Sequence, residues 1–574
     1  MFGKPSTMLW PGTAAAILAV SWLLPNHTPP WNFFHADAWV LFWALGLGAW
    51  VVHRCGTHHQ WPRAAVVALG VAVVPLVQWQ LGLIASSGEA IISAGYMLAC
   101  SLCIVMGYQL YRFSPHLPGH ILFSAIALAC VLNVGIQLKQ WLGIHLGATL
   151  SWVWILIRDL PPGVRPSGNM FQPNHLATLL VWGLLAGVWA YVHRAIRLNV
   201  LLLYSVFLAF GLGLTQSRIG LIELAGLCLA AIYWRRLLPS NRIVYGALAL
   251  LALTLCLFVA LPVASDWLNI GSVARDLKDV WQDNTRAQAY RIFWDSALAQ
   301  PWWGYGMSHV SEAYLRAAST QTYQGMYFIH SHNVFLDALL WFGFPLGLLL
   351  LGLLILWVFR SMSRVMDLGQ LLLLLMVLCL GLHALVELPH QFAYFLVPAC
   401  IAMGAINQPS NHDAGWSLPR YVLGIALLGC AMLYACVVDD YLETEERFTE
   451  LRFEKAKIGP PLGIPVPQLW VLSQMEDMLT LLRTTASKNM SAAQVEWAGR
   501  AVRGEPSPSN FFTYIEILAL NGRKNEALQW MHKLNAIAES RQLPTLQKDW
   551  ALVQQRYPEL ADLAWPVVVL APKK

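Results

Sequence analysis

Two histidines and an asparagine stand together immediately before a long apolar run, in the sequence His330-Ser331-His332-Asn333. An imidazole gains or loses its proton near neutral pH, so this group could take part in proton transfer. The alternative is structural, because a histidine at this place is usually a helix-end residue. The group ends a polar stretch that begins near residue 261 of an otherwise apolar chain. Polar loops held by apolar flanks often carry function, and we therefore expect the chemistry here.

Arginines are the second kind of ionisable group in the polar segments. Arg286 and Arg291 precede Trp294, and in a helix the two cations would lie about a turn and a half apart. The alternative is an amphipathic helix lying at a membrane interface and anchored by tryptophan. Arg218 follows Gln216-Ser217 at the end of an apolar run. Taken by itself, it is more typical of a side chain that snorkels to the interface.

A third polar segment runs from Arg165 to His175 and ends where an apolar helix is predicted to begin. Its glycine and prolines predict a turn, and Asn174 could cap the helix. The free amides at the helix start could receive an anion, although a capped turn without any ligand explains the pattern equally well. A fourth group, Glu387 to Gln391 followed by Tyr394, lies between two later apolar runs.

The composition identifies the surroundings of these residues as a membrane. The chain is 57% hydrophobic and only 12% charged, and its mean hydropathy is +0.52. A soluble protein carries about 25% charged residues. The net charge of +6 does not indicate nucleic acid, because the basic residues form short clusters between apolar runs and no basic stripe. We predict an all-α polytopic membrane protein.

Apolar runs long enough to be membrane helices occur at about thirteen places. The first is interpreted as a retained span, since no convincing cleavage site follows it. The predicted spans are 9–24, 36–52, 64–84, 90–110, 121–142, 175–192, 199–214, 219–233, 244–263, 334–359, 368–388, 392–406 and 421–438.

The arginines between these spans predict the topology. With a cytoplasmic N-terminus, the clusters that flank the spans all fall on the cytoplasmic face, as the positive-inside rule requires. The loop 143–174, the long loop and the C-terminal tail then lie outside. The ten cysteines all fall in spans or in one cytoplasmic loop, so none is placed for an external disulfide. The clusters contain Arg54, Arg63, Arg112, Arg194, Arg197, Arg235, Arg236, Arg242, Arg360, Arg364 and Arg420.

The spans divide the chain into four predicted parts. Residues 1–264 form the N-terminal helices with the loop 143–174, residues 265–333 the large periplasmic loop, and residues 334–438 the C-terminal helices. Residues 439–574 form a soluble helical tail, in which 510–534 resembles one tetratricopeptide hairpin broken at Asn521-Gly522. One hairpin is not an array, and we expect the tail to pack or to dock a partner rather than to catalyse.

The order of these motifs carries a family resemblance. The stretch from Arg291 through Pro301, Gly304 and Gly306 to His332-Asn333, Gly343 and Gly347 resembles the signature region of the O-antigen ligase and polymerase superfamily. The segment from Gly168 to Asn174 is similar to that of its pilin-type protein O-oligosaccharyltransferases. One departure is Phe171, which stands where a glycine often precedes the glutamine.

The resemblance implies an enzyme that moves a glycan from undecaprenyl diphosphate to an acceptor hydroxyl in the bacterial inner membrane, with inversion at C1 and with no metal or other cofactor. The acceptor would be Ser or Thr of pilin or another periplasmic protein. The resemblance also suggests roles. Arg218 and Arg291 would bind the diphosphate, with Arg165 and Arg286 less strongly indicated. His332, or else His330, would deprotonate or orient the acceptor hydroxyl. The residues that position the substrates would be Gln172, Asn174, Asn333, Glu387 and Tyr394.

Two rival functions stay open at this point. Within the superfamily, the protein could instead join O-antigen to lipid A core or polymerise O-antigen; the Gln172 segment and the long tail favour protein glycosylation. Outside enzymes, it could transport a lipid-linked glycan. A transporter should hold its ionisable residues near the middle of the bilayer in repeated halves, and the sequence shows its polar groups at one face without a repeat.

Overall fold

The computed structural model describes residues 6–144, 157, 159–160, 164–268, 285–318, 327–407, 415–460, 463, 465–504, 506–539 and 541–566. A helix lies at each of the predicted spans, and nine of the helices in the described ranges are long and apolar enough to cross a membrane. The protein is therefore a mostly helical, polytopic membrane protein. The number of crossings stays a prediction, because several of the other apolar helices are shorter.

The first half of the chain consists almost entirely of apolar helices. Its elements in chain order are α1 (Ser6–Val20), α2 (Phe34–Arg54), β1 (His58–Trp61), α3 (Arg63–Gln80), α4 (Ser87–Phe113), α5 (Leu117–Trp141), α6 (Pro173–Val192), α7 (Leu198–Thr215), α8 (Arg218–Tyr233) and α9 (Arg242–Trp267).

The second half combines further apolar helices with shorter amphipathic ones. Its elements are α10 (Thr285–Ala299), α11 (Val310–Ala318), α12 (Val334–Arg364), α13 (Leu368–Ala384), α14 (Ala393–Ile406), β2 (Trp416–Pro419), α15 (Arg420–Lys455), α16 (Ser473–Arg483), α17 (Ala492–Gly504), α18 (Pro508–Leu520), α19 (Lys524–Ile537) and α20 (Leu543–Arg556). Short 3-10 turns lie at Arg235–Leu237, Pro389–Gln391 and Pro558–Leu560.

The first compact unit comprises residues 1–70, 96–282 and 355–434. Helix α6 lies at its centre and packs against α5, α7, α8 and α13. Most α6 side chains are buried, including Trp182, which explains why this helix is hydrophobic on every face. The strands β1 and β2 pair antiparallel from His58 opposite Pro419 to Trp61 opposite Trp416. This ribbon was not predicted from the sequence.

The second unit comprises residues 71–95, 283–354 and 435–574. Its core joins the polar loop to the tail. Tyr314 on α11 packs near Phe293 on α10, with ring centroids 5.5 Å apart, and Tyr327 lies 6.3 Å from Phe511 on α18. Tyr314 and Phe511 are almost fully buried, so the aromatic residues of the loop and of the tail share one hydrophobic core.

Local capping determines where the tail helices begin. Ser491 and Gln494 form a reciprocal capping box ahead of α17, and the Ser507 hydroxyl accepts a hydrogen bond from the Asn510 amide at the start of α18. The buried Asp440 carboxylate accepts from three successive backbone amides before α16, those of Trp470, Val471 and Leu472. Helices α18 and α19 lie on either side of Asn521-Gly522, where the sequence predicts a break between two helices.

Candidate active site

The segment before α6 forms a turn that is held by side chains of α5. The Gln140 side-chain oxygen accepts hydrogen bonds from the amides of Ser167 and Gly168 at 3.1 and 2.9 Å. The Asn133 oxygen accepts from the Asn169 amide at 2.9 Å. Gly168 has a φ of +58°, and a Cβ there would lie 2.4 Å from the Asn133 oxygen. A glycine is therefore required at this position.

Phe171 adopts at this turn a left-handed backbone conformation that favours glycine. Its φ is +63°, in the left-handed region that a bulky residue rarely adopts. The ring packs against His27 and Phe33, with centroid distances of 5.1 and 5.6 Å. The departure from the family pattern thus keeps the turn, with aromatic packing in place of glycine's freedom.

Asn174 does not cap α6, and that prediction was wrong. The helix begins at Pro173, whose missing N–H suits the first position, and the preceding Gln172 makes no side-chain cap. The Asn174 amide instead donates to Glu387 at 3.3 Å, and its oxygen accepts from the Ser217 hydroxyl at 2.8 Å. One asparagine therefore links three segments that the sequence had placed in separate outer loops.

Tyr394 is almost fully buried, with 1% of its surface exposed. Its hydroxyl lies 2.6 Å from Nδ1 of His175, and its backbone amide donates to Asp37 at 3.2 Å. The Asp37 carboxylate also accepts from the Tyr96 hydroxyl at 3.0 Å. The Tyr394 hydroxyl is therefore engaged in the interior of this unit, where it fixes His175 at the start of α6.

The two candidate arginines of this unit, Arg165 and Arg218, have different surroundings. Arg165 donates to the carbonyl oxygens of Thr215 and Gln216, both at 3.2 Å, at the end of α7. Arg218 is the first residue of α8, is exposed, and makes no hydrogen bond or ion pair with any residue that the structure describes. A guanidinium beside free helix amides is a suitable place for an anion.

A second polar group lies deeper in the same unit. The Thr178 hydroxyl donates to Glu223 on α8 at 2.7 Å and lies 2.7 Å from Nδ1 of His383 on α13. Burial of all three side chains is complete. The sequence analysis missed this group, although a lone carboxylate within the apolar run 219–233 was a usable signal, since such residues are costly in a membrane.

In the second unit, His332 occupies a strained position at the start of α12. Its φ is +55°, and its side chain is half-buried near Phe328, with ring centroids 6.3 Å apart. The following Asn333 caps α12 by accepting from the amides of Phe335 and Leu336 at 2.9 and 3.1 Å. Uncommon backbone conformations of this kind cluster at functional sites.

Two side chains that the sequence analysis did not single out hold the histidine segment. The Ser331 hydroxyl donates to the buried Asp337 carboxylate at 2.5 Å. The Tyr290 hydroxyl donates to the His332 carbonyl oxygen at 3.4 Å. Tyr290 directly precedes Arg291 on α10, so α10 reaches the histidine segment. Asp337 was detectable as an acidic residue in the first turn of an apolar helix.

The structure describes the side chains of only some of the other predicted site residues of this unit. Arg291 is exposed and makes no hydrogen bond or ion pair with a residue that the structure describes. His330 is half-buried. Arg286 lies in α10, but its side chain is outside the described residues, as are loop residues 269–284 and 319–326.

The glycines of the signature segment allow the backbone of the polar loop to lie close to the backbone of α12. The amide of Phe344 donates to the Pro301 carbonyl at 2.7 Å, and that of Tyr305 donates to the Leu340 carbonyl at 2.6 Å. Gly343 has a φ of +71° inside α12 and interrupts the helix there. The polar loop is thus attached to α12 seven to eleven residues beyond Asn333, the end of the histidine segment.

Grouped metal ligands are not present in the described part of the chain: no three His, Cys, Asp or Glu side chains lie together there. All ten cysteines are free thiols.

Comparison with known families matches three parts of the chain. Residues 203–351, which contain Arg218 and His332, match the family described as O-Antigen ligase. Residues 371–543 match Virulence factor membrane-bound polymerase, C-terminal, and residues 166–189 match Protein glycosylation ligase.

Two curated proteins of Acinetobacter baylyi are similar along the chain. The general O-oligosaccharyltransferase is 26% identical over 548 residues, covering 91% of each protein. The ComP-specific O-oligosaccharyltransferase is 25% identical over 272 residues, covering 47% of this chain and 49% of that protein. The fold, the ordered motifs and these matches define a membrane glycosyltransferase of the O-antigen ligase superfamily. Within that superfamily, the matches support an O-oligosaccharyltransferase.

Proposed function

We propose that this oligosaccharyltransferase moves a preassembled oligosaccharide from undecaprenyl diphosphate to Ser or Thr hydroxyls of periplasmic proteins such as pilin. The observation that carries the proposal is the similarity to a general O-oligosaccharyltransferase along 91% of both chains. Residues 166–189, which include the turn that leads into α6, match the family described as Protein glycosylation ligase. This match supports a protein as the acceptor.

In the proposed reaction, the acceptor hydroxyl attacks C1 of the first sugar and gives its proton to His332. The bond between C1 and the diphosphate oxygen breaks, and undecaprenyl diphosphate leaves with the electron pair. Direct attack inverts the configuration at C1. General-base assistance of this kind contributes about 10²–10⁴-fold to a rate. The left-handed backbone conformation of His332, with a φ of +55°, supports its choice over His330.

Arginines stabilise the charge on the leaving diphosphate in this proposal. Arg218 and Arg291 are the first choices, because both are exposed and neither bonds to another described residue. Arg165 already donates to two carbonyl oxygens and contributes as a support of the α7 end. A donor of this type is worth about 3–4 kcal/mol in a transition state. No cofactor is required by this chemistry.

The other proposed residues position substrates or their neighbours. Gln172 precedes α6 in the held turn, and Asn174 is fixed by Ser217 and Glu387. Asn333 orients the histidine segment as the cap of α12. Tyr394 acts through His175, since its hydroxyl is buried against that ring.

We place the protein in the inner membrane with a cytoplasmic N-terminus and a periplasmic site, loop and tail. Two contacts in the first unit support this arrangement of loops. The strands β1 and β2 pair, and each adjoins an arginine predicted to be cytoplasmic, Arg63 and Arg420. Asn174 and Glu387, both predicted to be external, bond to each other.

The main alternative is ligation of O-antigen to lipid A core or its polymerisation, which the matches to O-Antigen ligase and to the membrane-bound polymerase favour. Both functions can be tested in a bacterium that makes one defined undecaprenyl-linked glycan and lacks its own ligases. Envelope proteins, lipopolysaccharide and carrier-linked chains are then analysed for the glycan.

The variants for this experiment are His332→Ala and, as a matched control, His58→Ala, which removes an exposed histidine of β1. We expect glycan on Ser or Thr of protein with the wild type and with His58→Ala, and none with His332→Ala at equal membrane abundance. Glycan on lipid A core alone, or lengthened carrier-linked chains, would assign the chain to the alternative.

A further inference from the structure

A polar cleft lies within the second unit, between α11 of the loop and the tail helices α17 to α19. It consists of two adjoining cavities of about 600 and 480 Å³. Glu312, Arg316, Arg500 and Arg503 line both cavities, so the two form one continuous space. The first cavity extends to Trp530, and the second extends past Tyr305 to the turn after α3. We name this space the tail cleft.

Positive charge dominates the wall of the tail cleft, with five cations against three carboxylates. The cations are Arg316, Arg500, Arg503, Arg523 and Lys533, and the carboxylates are Glu312, Glu496 and Glu526. Arg523 and Glu526 neutralise each other through two hydrogen bonds of 2.6 Å. The remaining lining therefore keeps its positive excess.

Two of these arginines are available to a ligand. Arg500 and Arg503 are exposed on α17, three residues apart and therefore on one face of the helix. Neither forms an ion pair or hydrogen bond with a residue in the described part of the chain. The crowding of cations also affects Lys533, whose pKa is lowered first by burial and then by Arg503 and Arg316, against the opposite influence of Glu312.

We infer that the tail cleft binds an acidic segment of the acceptor protein, and this inference rests on the proposed function. Guanidinium groups bind carboxylates through paired hydrogen bonds, so Arg500 and Arg503 are suited to Asp and Glu side chains. Packed helical hairpins form concave surfaces that bind extended chains. Binding there would hold the acceptor on the unit that also contains His332.

The aromatic residues of the tail cleft favour a peptide over a sugar. An open aromatic face is one surface on which a sugar ring stacks, but the Trp530 ring carries the Lys533 ammonium 4.3 Å from its centroid. Tyr514 and Phe511 approach the same ring at 5.2 and 5.3 Å. Tyr514 itself is buried. Carboxylates can pair with the arginines without displacing any of these contacts.

The experiment measures binding by fluorescence anisotropy, with the full-length protein in lipid nanodiscs. The probe is a labelled Ser- and Glu-rich peptide, and its counterpart carries Gln in place of every Glu. The test variant is Arg500→Gln with Arg503→Gln. The control variant is Arg541→Gln with Lys548→Gln, which removes two exposed cations of the tail outside the cleft lining.

We expect the acidic peptide to bind the wild type and the control variant alike, more weakly at higher salt, and about tenfold more weakly to the test variant. Equal binding of the Gln peptide, or unchanged binding by the test variant, overturns the inference. A third result would also overturn the inference: a labelled free oligosaccharide binds the wild type but not the test variant, while the acidic peptide binds neither. That result would identify the tail cleft as a glycan site.

Failure of this inference can be separated from failure of the proposed function. Peptide binding needs no transfer, so His332→Ala should bind the acidic peptide as the wild type does. In a transfer assay with an acidic acceptor, the test variant should raise the acceptor KM about tenfold with kcat unchanged. Protein glycosylation that persists with an unchanged KM would leave the enzyme assignment intact and remove the role of the tail cleft.

Discussion

The Ser331 hydroxyl donates a 2.5 Å hydrogen bond to the Asp337 carboxylate, and both side chains are buried at the start of α12. Ser331 also accepts from the Asn333 amide at 3.2 Å. The residue between them, His332, has a φ of +55°. A buried carboxylate in the first turn of the helix therefore fixes the backbone on which the proposed base stands.

Replacing that carboxylate should impair transfer without touching the base. Asp337→Ala removes the 2.5 Å hydrogen bond and leaves the Ser331 hydroxyl with the Asn333 carbonyl oxygen, at 2.9 Å, as its described acceptor. We expect this loss to lower the free energy of unfolding by about 1–3 kcal/mol and transfer by about 10²-fold. Asp337→Asn keeps an acceptor oxygen and should lose less of both. Glycan transfer and thermal unfolding in detergent measure the two effects. Wild-type transfer by Asp337→Ala would exclude a positioning role.

Arg218 and Arg165 should separate binding from stability. Arg218→Ala removes a side chain without described partners, so we expect an unchanged melting temperature and a donor KM raised at least about tenfold. Arg165→Ala removes two hydrogen bonds to carbonyl oxygens and should lower the melting temperature. Measured with a lipid-linked oligosaccharide, equal donor KM values for Arg218→Ala and the wild type would contradict the assignment of Arg218.

The sequence predicted the positions of the apolar helices well, because hydropathy is a local property. The predicted span 175–192, for example, is the helix Pro173–Val192. Capping at that helix was predicted wrongly, since Pro173 takes the first position and Asn174 is drawn to Glu387, far away in the chain. Pairings of this kind depend on the tertiary structure, and one sequence does not contain a local signal for them.

Candidate site residues could be selected from the sequence where chemistry and position coincided. His332-Asn333 stood out because a polar pair precedes an apolar helix, and the structure shows the cap that this order requires. Asp337 and Tyr290 were missed because their roles come from contacts with Ser331 and with the His332 carbonyl. The β1–β2 ribbon was missed for the same reason, since its strands are more than half the chain apart.

Gly343 should tolerate no side chain. A Cβ there would lie 2.5 Å from the Trp302 carbonyl oxygen, and its φ of +71° is unfavourable for any other residue. Gly343→Ala should therefore lower the unfolding free energy by at least about 1–3 kcal/mol. The control is Gly352→Ala in the same helix, where a Cβ meets nothing within 4 Å and stability should be kept or raised. Thermal unfolding compares them, and equal loss in both variants would contradict this account.

Phe171 should reveal its backbone strain through a comparison of two truncations. Phe171→Ala and Phe171→Gly both lose the contacts with His27 and Phe33, but only glycine relieves the φ of +63°. We expect the glycine variant to be about 1 kcal/mol more stable. Phe392 has an ordinary backbone φ of −104°, so the order of stability should reverse there, with Phe392→Ala more stable than Phe392→Gly. Melting temperatures of the four variants test this, and the same order at both positions would refute it.

His309 should make stability depend on pH. Its ring lies 3.0 Å from the Glu89 carboxylate in the second unit. Burial lowers the pKa of His309, but Glu89, with help from Glu312 and against Arg503, outweighs burial and raises the pKa above its ordinary value. A raised folded-state pKa means that the charged form is stabilised by folding.

The sign of the effect follows from this direction. The stabilisation is fully present below the unfolded-state pKa, about 6.5, and is lost as the pH rises through the higher folded-state pKa. Melting temperature should therefore fall across that window in the wild type. Glu89→Gln removes the charge that raises the pKa, and its melting temperature should be lower than the wild type at pH 6 and closer to it at high pH. A difference between the two proteins that stays constant from pH 6 upward would show that His309 is not protonated in the folded protein, and that the pair contributes only a neutral hydrogen bond.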